Sequence, residues 1–157
     1  MKHVITAVIT ASWILLLFGA AHSGDLYGVM RNPDKPNQDP GICSAVIGDG
    51  EVAIRATANN LKKRHAYSAW ITAEVDGVVT TEHLDGAIGS KGKSHEFEGG
   101  IGLDTDLLES LFVQVRQHPK VKNNTSDETI IEWITTPNGG CDGTCPTVAS
   151  CEMFTIL

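Results

Sequence analysis

The sequence lacks most of the patterns that identify common functions. It holds 12 lysine and arginine residues against 19 acidic ones, a formal net charge of −7, which argues against binding to nucleic acid or to an anionic membrane surface. It has no Gly-x-Ser-x-Gly elbow of a serine hydrolase and no glycine-rich phosphate-binding loop. No long stretch keeps a helical period. Enzyme activity and a bound cofactor therefore rest on no visible motif.

The N-terminal segment 1–23 has the layout of a secretory signal peptide. A basic start is followed by an apolar run from Val4 to Phe18 and then by small residues. Cleavage after Ser23 is favoured, and cleavage after Ala21 is the alternative. The apolar run is shorter than the roughly 20 residues that span a bilayer, which favours cleavage over an uncleaved anchor. The sequence thus predicts an exported protein, periplasmic or extracellular, that does not stay in a membrane after cleavage.

The four cysteines, Cys43, Cys141, Cys145 and Cys151, all follow the predicted cleavage site. An even number of cysteines in an oxidising compartment predicts two disulfides. A zinc site with Cys43 as its fourth ligand and a thioredoxin-like redox pair are the alternatives. Both usually use a Cys-x-x-Cys spacing, whereas the three C-terminal cysteines are separated by three and five residues. The spacing therefore favours covalent cross-links.

Short runs of alternating polarity dominate the chain after a proline-rich beginning. Residues 24–46 are predicted as an irregular lead-in with one short strand at 26–30, and 47–157 as one domain. Within that domain the alternation predicts seven or eight strands, with a tight hairpin turn at Asp76-Gly77 and a bulge at Gly99-Gly100. The predicted fold is an all-β, antiparallel, immunoglobulin-like β-sandwich, tied by disulfides.

Two further segments complete the prediction of secondary structure. LDTDLLESL, residues 103–111, is the one candidate helix, of one or two turns, with Asp104 as its cap. KVKNNTSDE, residues 120–128, is predicted as an exposed loop, and TIIEWITT, residues 129–136, as a strand. Trp70 lies on the strand face opposite the aliphatic residues, and core packing is its favoured role over an exposed ligand contact.

Four histidines, at predicted strands or strand ends, are weak candidates for metal binding: His65, His83, His95 and His118. A sandwich that gathered two or three of them would be a copper or zinc protein, or an enzyme. However, the chain lacks the histidine that a blue-copper loop places between its cysteine and its methionine. Backbone-bonded strand histidines are the more common outcome, so we predict neither a catalytic nor a metal site.

Several stretches, taken together, resemble a family of bacterial secreted proteins of unknown function. The strand LKKRHAYSAWITAE is similar to its His-x-Tyr-x-x-Trp strand, and GGCDGTC followed by CEMFTI is similar to its Gly-Gly-Cys…Cys tail. The resemblance covers roughly 47–157, although Pro119 follows His118 without the family's glycine and isoleucine follows Trp70. A looser likeness is to the extracytoplasmic β-sandwich of anti-sigma factors. The resemblance implies export and an all-β fold, and it supplies no activity.

The resemblance also implies a disulfide pairing. The family's constant pair matches Cys141 and Cys151, which leaves Cys43 for Cys145; a bond between Cys141 and Cys145 is the rival assignment. The expected function is a binding or structural module that contacts another protein or a cell-surface polymer, and the alternative is the histidine-based metal protein or enzyme.

Overall fold

The computed structural model describes residues 24–155, which form two antiparallel four-stranded sheets packed face to face. In spatial order, the first sheet contains β1 (Gly24–Val29), β2 (Gly41–Ile47), β3 (Glu51–Ala58) and β6 (His95–Gly102). The second sheet contains β5 (Val78–Ile88), β4 (His65–Val75), β7 (Leu108–Lys120) and β8 (Thr147–Thr155). The predicted all-β antiparallel sandwich is confirmed. The predicted signal peptide, 1–23, lies outside the described residues.

The period-two pattern places one face of each strand in a shared core. In β3, Val52, Ile54 and Ala56 are at most 2% exposed, while the residues between them are exposed or half-buried. The neighbouring strand β6 of the same sheet contributes Phe97 and Ile101 to the same core. The second sheet contributes a matching set of buried side chains, which are Tyr67, Ala69, Ile71, Leu111, Val113, Val115 and Ala149.

The hairpin between β4 and β5 turns where the sequence predicts it. Asp76 and Gly77 both have positive φ, 50° and 72°, as a two-residue turn between right-twisted strands requires. This confirms the turn prediction.

The lead-in is more regular than predicted, because β2 occupies 41–47 and pairs along its length with both β1 and β3. Only 30–40 departs from strand geometry, apart from a bridge between Arg31 and Ser150. The prolines confine the irregularity to that loop, and they do not prevent the strands on either side. The prediction of an irregular segment is therefore wrong for β2.

Residues 127–135 form helix α1 (Asp127–Thr135), where a strand is predicted from the β-branched residues. Ser126 caps the helix by accepting a hydrogen bond from the Thr129 N–H at 3.2 Å, and Asp127 and Glu128 occupy the first turn. A capping serine followed by two acids is a helix-start signal that outweighs the modest cost of β-branched residues. The strand prediction is wrong for this segment.

Two smaller predictions have opposite outcomes. Asp104 caps the single 3₁₀ turn Thr105–Leu107 by accepting from the Asp106 N–H at 3.2 Å, as predicted for a short helical turn. The bulge predicted at Gly99-Gly100 is wrong, because β3 and β6 keep an unbroken register. A Cβ at Gly99 would lie 2.7 Å from Cδ1 of Leu84, so glycine is needed there for the close approach of β5.

The first testable prediction concerns the core. Phe97 is fully buried between the sheets, so Phe97→Ala is expected to lower the free energy of unfolding by about 3–5 kcal/mol through lost burial and a residual cavity. Urea denaturation followed by circular dichroism measures the change. Glu96→Ala, at the exposed neighbouring position, is the control and should stay within about 0.5 kcal/mol of the parent. Equal losses in both variants would contradict the described packing.

Candidate functional site

All four cysteines form disulfides, which confirms the predicted cross-links. The pairs are Cys43 with Cys151 and Cys141 with Cys145. The pairing implied by the family resemblance, Cys141 with Cys151 and Cys43 with Cys145, is therefore wrong, and the rival assignment for Cys141 and Cys145 is correct.

The position of each sulfur relative to the second sheet explains this pairing. Cys151 is 2% exposed and belongs to the core, where it meets Cys43 of the opposite sheet. Cys141 and Cys145 lie in the loop before β8, against the outer face of the second sheet. A bond between Cys141 and Cys151 would have to pass through that sheet.

A chain of buried polar side chains lies beside the loop disulfide. His118 of β7 is 1% exposed, and its Nε2 lies 2.7 Å from Ser68 Oγ. The indole N–H of Trp70 donates to the same oxygen at 2.7 Å. On the other side of the ring, His118 Nδ1 lies 2.8 Å from the carbonyl oxygen of Gly139. Because a carbonyl only accepts, Nδ1 carries the ring proton and Nε2 accepts from the Ser68 hydroxyl.

Local sequence explains how His118 comes to face Ser68. On β7, Gln117 and Lys120 pair with Tyr67 and His65, so three steps on β7 lie opposite two steps on β4. This bulge includes Pro119, which has no N–H to give to the ladder. Leu111, Val113 and Val115 of β7 face the core, so the alternation of the strand places Gln114, Arg116 and His118 on the outer face, where Ser68 also lies. The bulge follows Gln117 and changes the register only at the end of the strand.

The Gly139-Gly140 pair lets the loop pass beneath α1. A Cβ at Gly139 would lie 2.5 Å from the Cα of Trp133, and a Cβ at Gly140 would lie 2.5 Å from the Trp133 indole. Gly140 also has a φ of +72°, which glycine adopts without strain. The two glycines therefore bring the Gly139 carbonyl to His118.

The Ser68–His118 contact has the geometry of a nucleophile with its general base, but its burial excludes that role. Ser68 is 0% exposed, and its oxygen is shared between the His118 ring and the Trp70 indole. A substrate carbonyl cannot reach it without displacing Trp70. The arrangement instead satisfies every polar atom of a buried network, which stabilises one packing of the outer layer on this sheet.

The four candidate histidines do not bring their ring nitrogens together into one ligand group. His95 stacks edge-on against Phe97 in the first sheet, with ring centroids 4.8 Å apart, while His83 stacks against Trp70 at 5.2 Å in the second. His65 Nδ1 bonds the backbone oxygen of His118 at 3.0 Å. Of the residues that the structure describes, one group has three donor atoms within 4.8 Å of each other, and it consists of His118, Cys141 and Cys145. Its two sulfurs are bonded to each other.

The two outer faces of the sandwich differ. On the second sheet, α1 and the loop after it cover Ser68, Trp70 and His118, and Trp70 is 7% exposed, which confirms its predicted packing role. On the first sheet, Tyr27 and Val29 of β1 and Ile42 and Val46 of β2 lie on the outer face, between 54% and 76% exposed. No part of the described chain covers these four side chains.

A polar cleft of about 150 Å³ opens at one end of the sandwich. Tyr67 lies at its base, where its hydroxyl accepts from the Lys62 N–H at 2.8 Å and donates to Gln117 Oε1 at 3.4 Å. Burial raises the pKa of the Tyr67 hydroxyl, and the hydrogen bond from Lys62 opposes that shift. The Tyr67 hydroxyl is thus neutral and already paired within the protein, so the cleft offers little to a ligand.

Comparison with known proteins adds little. The sequence matches no family model and no curated protein. Among solved structures, the crystal structure of chicken MD-1 complexed with lipid IVa is 16% identical, covers 82% of this chain and 88% of that chain, and has a TM-score of 0.36. A match at that level carries no argument about this chain, and the family resemblance stays a prediction. Within residues 24–155, no helix has the length and apolar character needed to cross a membrane.

The second testable prediction follows from the buried ring. Desolvation lowers the pKa of His118; the charges of Arg116 and His83 act in the same direction, and the hydrogen bond to Gly139 opposes them. When the pH is near or just below 6.5, the ordinary pKa of histidine, the unfolded chain thus binds more protons at this position than the folded chain. The free energy of unfolding should therefore fall as the pH drops from about 7.5 to about 5.5.

Urea denaturation at the two pH values measures this slope, and two variants locate its source. His118→Gln keeps a donor for Gly139 and an acceptor for Ser68 but removes the titration, so the slope should become shallower. Thr80→Ala, at an exposed position of β5 without a titratable side chain, is the control and should leave the slope unchanged. An unaltered slope in His118→Gln would contradict the assignment.

Proposed function

We propose that this chain is an exported binding module that takes a partner protein on the outer face of its first sheet. The main evidence is a group of exposed apolar side chains, here called the docking face, which consists of Tyr27, Val29, Ile42 and Val46. These side chains are 76%, 66%, 63% and 54% exposed. Contiguous exposed apolar side chains on a protein surface mark interaction sites, whereas single exposed ones are ordinary.

Strand register makes the docking face continuous. Val29 pairs directly with Ile42, and Tyr27 pairs with Ser44, which separates Ile42 from Val46 along β2. Directly opposed residues on one sheet face have Cβ atoms about 5 Å apart. The tyrosine adds a rigid aromatic ring of low conformational entropy with a polar end, a type of side chain enriched in the energetic centres of interfaces.

A shallow depression of about 370 Å³ adjoins the docking face. Its lining includes the small residues Ser44, Ala53 and Gly99 beside Val46. Arg55 and Glu98 form an ion pair across it at 3.1 Å, and their side chains remain 66% and 53% exposed. An apolar centre beside a polar rim is the usual composition of a protein interface.

The charge around this face defines the chemistry of the partner. The four strands of the first sheet carry four acidic residues and a single lysine or arginine, which is Arg55; the acidic residues are Asp25, Glu51, Glu96 and Glu98. A second copy of this chain would bring like charges together. The face instead fits a protein whose apolar contact surface has a basic rim, which would also speed association at low salt.

Export is part of the proposal. Two disulfides are characteristic of proteins that mature in an oxidising compartment, periplasmic or extracellular. The signal-peptide layout of 1–23 supports the same conclusion from the sequence.

The third testable prediction uses site-specific crosslinking. A photo-reactive amino acid placed at Ile42 in the full-length protein, expressed in the producing cell, should give one discrete crosslinked product that contains a second protein. The same group at Thr80, exposed on β5 of the other sheet, is the matched control and should not give that product. Peptide mass spectrometry of the product identifies the partner.

A charge variant tests whether the apolar contact is responsible. Val29→Asp should abolish the product formed from position 42, since burying an unpaired carboxylate is costly, while Thr81→Asp on β5 should not change it. Crosslinks that are equally abundant from both probe positions, a product that contains polysaccharide and no second protein, or a product insensitive to Val29→Asp would each contradict the proposal.

A further inference from the structure

The two disulfides differ in position, and this difference points to a second activity that does not depend on the docking face. The Cys43–Cys151 bond joins residues 108 apart, and both sulfurs are in the core. The Cys141–Cys145 bond joins residues 4 apart in a surface loop. On the chain-entropy model, the bond that closes the longer loop contributes more to the stability of the fold. Opening the second bond therefore costs the fold less.

The loop disulfide presents its two sulfurs unequally. Cys141 is partly exposed, and residues 142–144 after it are all exposed, whereas Cys145 is 1% exposed. Because Cys141 lies at the surface and Cys145 is buried, an incoming thiolate approaches the bond from the Cys141 side. The geometry thus determines which sulfur is attacked and which one leaves, a choice that controls the rate of thiol–disulfide exchange.

The buried sulfur has a hydrogen-bond donor beside it. His118 Nδ1 lies 3.3 Å from Cys145 Sγ, and the Gly139 carbonyl and Ser68 hydroxyl hold the ring proton on that nitrogen. The ring N–H that donates to the Gly139 carbonyl at 2.8 Å also lies beside this sulfur, and a donor shared in this way stabilises the thiolate that forms when the disulfide opens. His118 is thus a positioning residue for the leaving group.

The same pocket accommodates the reduced pair. The carbonyl oxygen of Gln117 lies 3.9 Å from Cys141 Sγ, and the carbonyl oxygen of Gly139 lies 3.7 Å from Cys145 Sγ. Each carbonyl can accept the weak S–H donor of its thiol. Both redox states therefore find partners without rearranging the network of Ser68 and His118.

We propose that Cys141 and Cys145 form a thiol–disulfide exchange site that accepts two electrons from a dithiol. One thiolate of the dithiol attacks Cys141 Sγ; the Cys141–Cys145 bond breaks, its electron pair goes to Cys145 Sγ, and a mixed disulfide forms at Cys141. The second thiolate of the dithiol then attacks the first sulfur of the same dithiol in that mixed disulfide; the bond to Cys141 breaks, and its electron pair leaves on Cys141 Sγ. The dithiol ends as a disulfide, and its two protons end on Cys141 and Cys145.

The fourth testable prediction uses the core disulfide as an internal control. The native protein is treated with dithiothreitol, quenched with an alkylating agent and mapped by mass spectrometry. Cys141 and Cys145 should be alkylated at least about tenfold faster than Cys43 and Cys151, with the circular dichroism spectrum unchanged. Reduction of both disulfides at one rate, or only on unfolding, would overturn the proposal. This comparison needs no variant.

Single-cysteine variants test the direction of attack. In Cys145→Ser, Cys141 should form a stable mixed disulfide with an added disulfide reagent. In Cys141→Ser, Cys145 should react with the same reagent at least about tenfold more slowly. Equal or reversed reactivity would overturn the assignment of roles. Running the native protein with dithiothreitol and with a reduced dithiol protein at equal thiol concentration distinguishes the sources: a faster reaction with the protein identifies a protein dithiol, and otherwise a small dithiol is the donor.

The variant His118→Leu, which has no N–H, tests the role of the ring donor. Loss of the imidazole N–H should slow reduction of Cys141–Cys145 about tenfold, whereas general destabilisation of the fold would speed reduction of both bonds together. The sign of the change thus separates positioning from a structural role. His95→Gln is the control and should leave both rates as in the parent. A rate of Cys141–Cys145 reduction that is unchanged or faster in His118→Leu would overturn the role of His118.

Discussion

The covalent bond between Cys43 and Cys151 is the constraint on which the arrangement of the two sheets depends. It joins β2 of one sheet to β8 of the other through the core. A Cβ at Gly28 would lie 2.5 Å from one of the two sulfurs and 2.9 Å from the other, so β1 can run beside the bond only because Gly28 has no side chain. Just beyond β1, Arg31 and Ser150 exchange two backbone hydrogen bonds and close the same edge of the sandwich.

The opposite edge is held by weaker contacts. Gly99 lets Leu84 of β5 approach β6, and the Asp85 carboxylate accepts from the Glu98 N–H at 3.3 Å. One edge is therefore covalent and the other depends on packing and a hydrogen bond. The first sheet is held in place along its β1–β2 side, which is also the side that carries the docking face. A preformed face of this kind loses little entropy when a partner binds.

The sequence was enough to predict a disulfide-linked sandwich. The alternating polarity of the strands, the turn residues and the even number of cysteines can each be recognised without knowing any long-range contact. Helix α1 was missed because its β-branched residues were weighed without the Ser126 cap and the two acids after it. The cysteine pairing depends on which face of β8 each sulfur meets, and this is decided only when the sheets assemble. The alternation of β4 and β7 places Ser68 and His118 on the same outer face, but their contact joins residues 50 apart and depends on the register of the two strands, which no local pattern encodes.

The separation of 108 residues between Cys43 and Cys151 also sets an order of events during synthesis. A chain that emerges N-terminus first exposes Cys43 long before its partner, and it exposes Cys141 and Cys145 just ahead of Cys151. For that interval Cys43 is an unpaired thiol that can capture either loop cysteine. Because only three residues separate Cys141 from Cys145, these two cysteines can form their disulfide first. Cys43 is then left with Cys151 as its partner. Early formation of the Cys141–Cys145 bond thus prevents incorrect pairing of Cys43.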